Sequence, residues 1–168
     1  TSGGTEADNM ILRCCVEDLG VNHIITSELE HHAVLHTAEE LRDDKGVKLS
    51  IINVCNKGKV DLNHLEELLM QGGSILVSLM HANNEVATKL PLKEVGELCS
   101  KYDAFFHSDT VQTMGHYPFD FEDLNIHFAT CAAHKFHGPK GIGFLYMSSD
   151  VKLKPMITGG SQERNMRA

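Results

Sequence analysis

At 168 residues, with 15 basic side chains against 23 acidic ones and a net charge of −8, the chain lacks the positive face that nucleic-acid binding requires. No apolar run approaches the ~18 residues of a membrane span, so neither nucleic acid nor membrane is expected as a partner. The five cysteines, Cys14, Cys15, Cys55, Cys99 and Cys131, show no C-x-x-C spacing; they are expected to be small buried hydrophobes of a reducing cytoplasm, with no disulfide framework and no metal site.

The length suits one domain. The opening at Thr1 on a glycine-rich motif and the close at Arg167-Ala168 in a glycine- and charge-rich loop lead us to expect residues 1–168 to be an internal piece of a longer protein. After Ser2-Gly3-Gly4-Thr5, apolar residues at Ala7, Met10, Ile11, Cys14 and Cys15 recur with helical spacing, so a helix starts near Thr5, with Thr5 and Asp8 as its N-cap and N3 acid. Asn22 to Thr26 reads as a strand and Ala33 to Asp43 as a second helix. Val47 to Val54 reads as a strand, Asn56-Lys57-Gly58-Lys59 as a turn, and Asp61 as the cap of a helix that runs through Met70 until Gly72-Gly73 stop it. Ser74 to His81 is the most apolar strand, and an irregular Ala82-Asn83-Asn84-Glu85 follows it. Pro91 opens a helix carrying Leu92, Val95 and Leu98. Strands are predicted at Ala104 to His107, Phe128 to Ala132 and Ile142 to Met147. Alternating strands and helices predict an α/β fold with a mostly parallel sheet and flanking helices.

In such a sheet, ligands sit outside the carboxyl ends of the strands, where loops converge and helix amino termini point inward. His31, Asn84, Asp109 and Lys135 each follow a predicted strand, and the Gly3-Gly4-Thr5 turn opens a helix, so all five features are expected on one rim. Lys135 lies on a tight loop before Gly138-Pro139, where fixed position and partial desolvation would suit an amine that condenses with an aldehyde. Gly4 and Thr5 offer close backbone approach, a hydroxyl and a helix dipole to a phosphate, or else simply a turn and cap. The G-x-G-x-x-G and Walker patterns are absent, which disfavours a dinucleotide or a nucleoside triphosphate. Asp109 can keep a pyridine nitrogen protonated or serve as a turn former. Asn84 can donate to a ring hydroxyl or shape an Asx turn, and His31 can stack on a ring and move a proton.

Five ordered stretches carry a resemblance: Ser2-Gly3-Gly4-Thr5-Glu6-Ala7-Asp8-Asn9, Glu30-His31-His32-Ala33-Val34-Leu35, Asn83-Asn84-Glu85-Val86, His107-Ser108-Asp109-Thr110-Val111-Gln112 and His134-Lys135-Phe136-His137-Gly138-Pro139-Lys140-Gly141. Together they resemble the cysteine desulfurases, pyridoxal 5'-phosphate enzymes of the class V aminotransferase group, in the branch that serves iron–sulfur cluster assembly. The resemblance implies part of the large domain of a fold-type I enzyme, without its N-terminal segment and small C-terminal domain. It implies Lys135 as the Schiff-base lysine, His134, Gly4 and Thr5 as phosphate ligands, His31 stacked on the ring, Asn84 and Gln112 on its hydroxyl oxygen, and Asp109 on its nitrogen. Lys135 and His31 would handle protons while L-cysteine gives up its sulfur as an enzyme persulfide and leaves as L-alanine. A homodimer and a sulfur-acceptor protein are the implied partners, and the fragment alone is expected to be inactive.

The sequence departs from the family at Ala132, where members usually carry a phosphate-binding serine, and the family's persulfide cysteine lies further downstream, so none of the five cysteines receives that task. Alternatives are another class V enzyme, such as a selenocysteine lyase or an aminotransferase, and a non-catalytic dimerising remnant.

Overall fold

The computed structural model describes residues 1–168 and contains a six-stranded sheet in the order β2-β1-β3-β4-β5-β6. The strands are β1 (His23–Thr26), β2 (Lys48–Ile51), β3 (Ile75–Ser78), β4 (Phe105–Asp109), β5 (Phe128–Ala132) and β6 (Gly143–Met147), the main helices are α1 (Gly4–Asp18), α2 (His32–Lys45), α3 (Leu62–Leu69) and α4 (Leu92–Lys101), and a four-residue turn, Gln162–Asn165, lies near the end of the chain. Every pairing is parallel except β5 with β6. The predicted α/β class with a mostly parallel sheet is therefore observed.

The connection from β1 to β2 runs toward one edge of the sheet, whereas those from β2 to β3 and β3 to β4 run toward the other. Because parallel crossovers are right-handed, this reversal puts α2 on one face and α3 and α4 on the opposite face. Side chains of one strand alternate between the two layers. Ile24 and its partner Leu76 pack with Ile11, Leu12, Val34 and Leu41 of α1 and α2, while Ile25 and Val77 pack with Leu65, Leu69 and Val95 of α3 and α4. Burial on both faces explains why β1, β3 and β5 are enclosed along their whole length and read as continuous apolar runs instead of alternating ones.

Local chemistry sets the element ends. Asp61 caps α3 by accepting from the Asn63 and His64 amides, as the sequence predicts, and Gly72 and Gly73 follow the helix at φ 72° and 104°. The cap of α1 differs from the prediction. Gly3 is the N-cap, and Glu6 reaches back to the Ser2 amide and hydroxyl at 2.9 and 2.6 Å, while Asp8 turns into the interior. Strands β2 and β3 are shorter than predicted. Beyond Ile51 the chain peels away, because the Asn53 amide donates to His64 and Val54 bridges to Val60 around the 56–59 turn. Beyond Ser78, the Leu79 and His81 amides still donate to carbonyls of β4, but pairing with β1 has ended.

Gly96 of α4 lies against the carbonyl of Leu124, leaving no space for a Cβ. Gly96→Ala is expected to destabilise the full-length protein by about 1–3 kcal/mol through overpacking, read as a lower urea midpoint; an unchanged midpoint would mean that the 120–126 turn yields freely.

Candidate functional site

Parallel register sends the carboxyl ends of β1, β3, β4 and β5 to one rim, and each hands its loop a polar residue: His31 after β1, Asn84 after β3, Asp109 at the end of β4 and Lys135 after β5. Helix α1 begins at the same rim. A Cβ on Gly4 would lie 3.0 Å from Val111 Cγ2 and 3.9 Å from both Ala132 Cβ and Thr130 Cγ2, so the glycine lets the helix start close against the ends of β4 and β5. The first amides of an α-helix have no intrahelical acceptor and carry its positive pole, which equips this corner for an anion. Ala132, at the position where serine was noted as usual, is buried beside it. Thr5 is exposed. Arg167 holds Glu6 at 2.7 Å and keeps its carboxyl down at about 2, a link that nothing in the sequence pattern announces.

Lys135 ends a single 3-10 turn, Ala133–Lys135. The amides of Phe136 and Gly138 both donate to the Ala133 carbonyl at 3.0 and 2.8 Å, and the Lys135 carbonyl faces His116 Nε2 at 3.2 Å. Gly115, at φ 80°, has no room for a side chain because Phe136 fills the space. The loop is as tight as the sequence suggests. The partial desolvation expected of Lys135 is not provided, however, since Lys135 and His134 are both exposed.

Asp109 is the buried member of the rim at 6% exposure. Its Oδ1 accepts the Val111 amide at 2.8 Å, so one oxygen of the carboxylate shapes the turn and the other is left without a protein hydrogen bond. Burial pushes its pKa up, while the Val111 amide and the charges of His31 and Lys135 pull the other way, which puts both of those side chains within electrostatic reach of Asp109. His31 caps α2 through Nδ1, which accepts the Ala33 amide at 3.1 Å. That bond leaves the ring proton on Nε2, so taking up a second proton breaks the cap. The Asx turn falls on Asn83, whose Oδ1 accepts the amides of Glu85 and Val86 and whose Nδ2 donates to the Leu29 carbonyl. Asn84 is consequently left exposed and Gln112 half-buried at the start of the following loop.

Beneath the rim lie two buried carboxyls, Asp8, expected from the sequence to be a helix N3 acid, and Glu30, to which the sequence pattern gives no role. Asp8 is 1% exposed and Glu30 6% exposed, and both are carboxyls without a lysine or arginine partner. Burial raises Glu30 to about 8, and burial together with the charge of Asp109 pushes Asp8 well above the usual carboxylate range. Four cysteines are buried as predicted, and burial lifts Cys14 and Cys131 to about 11 and Cys99 to about 12. Cys55 departs from the prediction: it is exposed in the 55–59 turn, and the amides of Lys57 and Lys59 lower its pKa.

The aminotransferase class-V profile matches residues 1–167. A cysteine desulfurase IscS of Clostridium botulinum is 45% identical over all of this chain, which covers 42% of that relative. Among solved structures, a NifS-like protein from Rickettsia africae superposes with a TM-score of 0.88 at 37% identity, over 100% of this chain and 45% of the other. SspA in complex with cysteine gives a TM-score of 0.92 at 31% identity, over 99% and 49%. The chain thus spans less than half the length of the proteins it matches.

Glu30 binds its proton more tightly in the folded state than at its ordinary value of 4.5, so its contribution to stability is complete below pH 4.5 and is lost as pH rises through about 8. Urea midpoints of the full-length protein at pH 5 and pH 8 should fall further in the wild type than in Glu30→Gln. Equal falls would show that Glu30 titrates alike in both states.

Proposed function

This chain belongs to the class-V aminotransferase family, and from that membership we propose that the protein containing it is a cysteine desulfurase, dependent on pyridoxal 5'-phosphate, which removes sulfur from L-cysteine as an enzyme persulfide and releases L-alanine. In this reading, residues 1–168 form the central part of the cofactor-binding large domain. The protein works as a cytoplasmic homodimer that passes sulfur to an acceptor protein for iron–sulfur cluster assembly. The observation that carries the reading is that an acid, an imidazole and an amine share one rim, with the imidazole and the amine both acting electrostatically on the acid, next to a glycine-lined helix start.

The residues present fit the cofactor. The buried Asp109 lacks a salt-bridge partner, and a protonated ring nitrogen would supply one. Gly4 keeps a cradle open that a side chain would crowd. When bound, pyridoxal phosphate supplies an aldehyde for amines and a ring that takes up an electron pair. Gly4, Thr5 and His134 would hold its phosphate, Asn84 and Gln112 its ring hydroxyl, and Asp109 would keep the ring nitrogen protonated by offering it a negative charge. His31 would lie on the ring face, its Nε2–H directed away from the α2 cap. Lys135 would hold the cofactor covalently through Nζ and, once displaced by substrate, carry protons with that amine. We assign the sulfur-accepting thiolate to none of the five cysteines: four are buried with raised pKa values, and Cys55 lies in the 55–59 turn, not in the downstream loop where the resemblance places that thiol. Ala132 is the one residue that favours a non-catalytic reading.

The full-length protein reconstituted with pyridoxal phosphate should show a near-visible absorbance band that Lys135→Ala abolishes, and should convert L-cysteine to alanine and sulfide. Absence of the band in the wild type contradicts the assignment, and keto-acid formation in place of sulfide points to an aminotransferase. Ala132→Ser restores a hydroxyl beside the cradle and is expected to tighten cofactor binding about tenfold, the equivalent of one charge-assisted hydrogen bond at the lower end of its range; unchanged affinity would mean that other donors already saturate the phosphate.

A further inference from the structure

The interior under the rim contains three carboxyls, and neither a lysine nor an arginine forms an ion pair with any of them. Asp8 projects from α1 between β4 and β5. The titratable groups that face it are His107 and Asp109 from β4 and Glu30 from the segment before α2, while β5 contributes only the hydroxyl of Thr130. Glu30 Oε1 accepts from the Ser27 hydroxyl at 2.8 Å and the Met80 amide at 3.0 Å, and its Oε2 has no partner. Asp8 Oδ1 also has none. Lys59 and Lys89 line the cavity of about 230 Å³ that Glu30 borders, yet neither forms an ion pair with it.

His107 is the one group that could neutralise Asp8 by taking a proton, and its geometry argues against it. The ring is fully buried and held between two hydroxyls, with Nδ1 2.8 Å from Ser78 Oγ and Nε2 2.8 Å from Thr130 Oγ1, whereas Asp8 Oδ1 lies 3.6 Å from Nε2. A buried imidazolium–carboxylate pair would close to hydrogen-bond distance, for in a low dielectric that contact is its main compensation for lost hydration. Here Nε2 is instead engaged by a neutral hydroxyl. Burial likewise lowers the His107 pKa to about 3, consistent with a neutral ring. An ionised Asp8 or Glu30 would thus be a buried charge without a counter-ion, close to a second carboxylate.

We propose that Asp8 and Glu30 are neutral carboxylic acids at physiological pH, positioning residues that form an uncharged tier beneath Asp109 and leave the site's single negative charge on the carboxyl that faces the rim. With Asp8 protonated, the Thr130 hydroxyl donates to His107 Nε2 and His107 Nδ1–H donates to Ser78, so the network from α1 through β5 and β4 to β3 carries no net charge. Were Asp8 and Glu30 ionised, their repulsion would raise the proton affinity of Asp109 and work against the charge that the proposed cofactor reading needs there. The inference rests on that reading for its purpose, but not for its test.

The test is infrared spectroscopy of the cofactor-free, full-length protein, with carbon-13 placed separately in aspartate and in glutamate side-chain carboxyls. At neutral pH, one protonated-carboxyl C=O band should shift with the aspartate label and another with the glutamate label. Asp8→Asn should delete the first and Glu30→Gln the second, and the glutamate band should fade as pH rises through about 8. No label-sensitive protonated-carboxyl band in the wild type overturns the proposal even if a variant fails to fold, as does either substitution leaving its band intact. Because no cofactor is present, failure here is distinct from failure of the desulfurase reading, which the absorbance band decides.

Discussion

The approach of α1 to the ends of β4 and β5 is the contact on which the site's geometry depends. Gly4 permits it, since a Cβ there would lie 3.0 Å from Val111 Cγ2 and press on it. The Thr1 backbone reinforces it by pairing with Gly143 at 2.9 and 3.1 Å, tying the segment ahead of the helix to β6. With the helix seated, its positive pole, the Asp109 turn and the Lys135 loop occupy neighbouring positions on one rim. Moving α1 outward would separate the anion cradle from the amine and strip the cover from Asp8. Packing and electrostatics at this corner are therefore one constraint seen from two sides.

That corner also reconciles a polar interior with a stable fold. Ser78, His107 and Thr130 sit in three adjacent strands whose neighbours are Ile, Leu, Val and Phe, and each polar group finds a partner in the next strand. Such a ladder satisfies buried groups without a charge, and it crosses β4 two residues before Asp109, where the strand meets the rim. Asp109 uses one oxygen to shape the turn that follows it and has another available to a ligand. Rigid placement and chemical availability come from the same residue.

Much of this could be read from the chain itself. Helical periodicity located α1 to α4, Asp61 announced a cap, and Gly72-Gly73 announced a stop, because these are local effects that act within a few residues. The placement of His31, Asn84, Asp109 and Lys135 after their strands was equally legible, for it follows from parallel topology alone. What escaped is what depends on contacts distant in sequence. Asp8 looked like an N-terminal helix acid, since spacing cannot say that Glu6 takes that place and that Asp8 faces β4. Asn83 and Asn84 are adjacent and chemically identical, and it is Asn83 that finds the Leu29 carbonyl, a partner distant in sequence. The antiparallel direction of β6 and the Arg167–Glu6 contact carry no local signature. The exposure of Lys135 was missed because a tight loop fixes a side chain without covering it.

The central claim is that groups spread from Gly4 to Lys135 meet around one pyridoxal phosphate ring. Borohydride reduction of the reconstituted full-length protein, followed by peptide mass spectrometry, tests it most directly by fixing the cofactor where it is bound. The account predicts a phosphopyridoxyl group on Lys135. Attachment to Lys140 or another lysine, or no attachment at all, would contradict it.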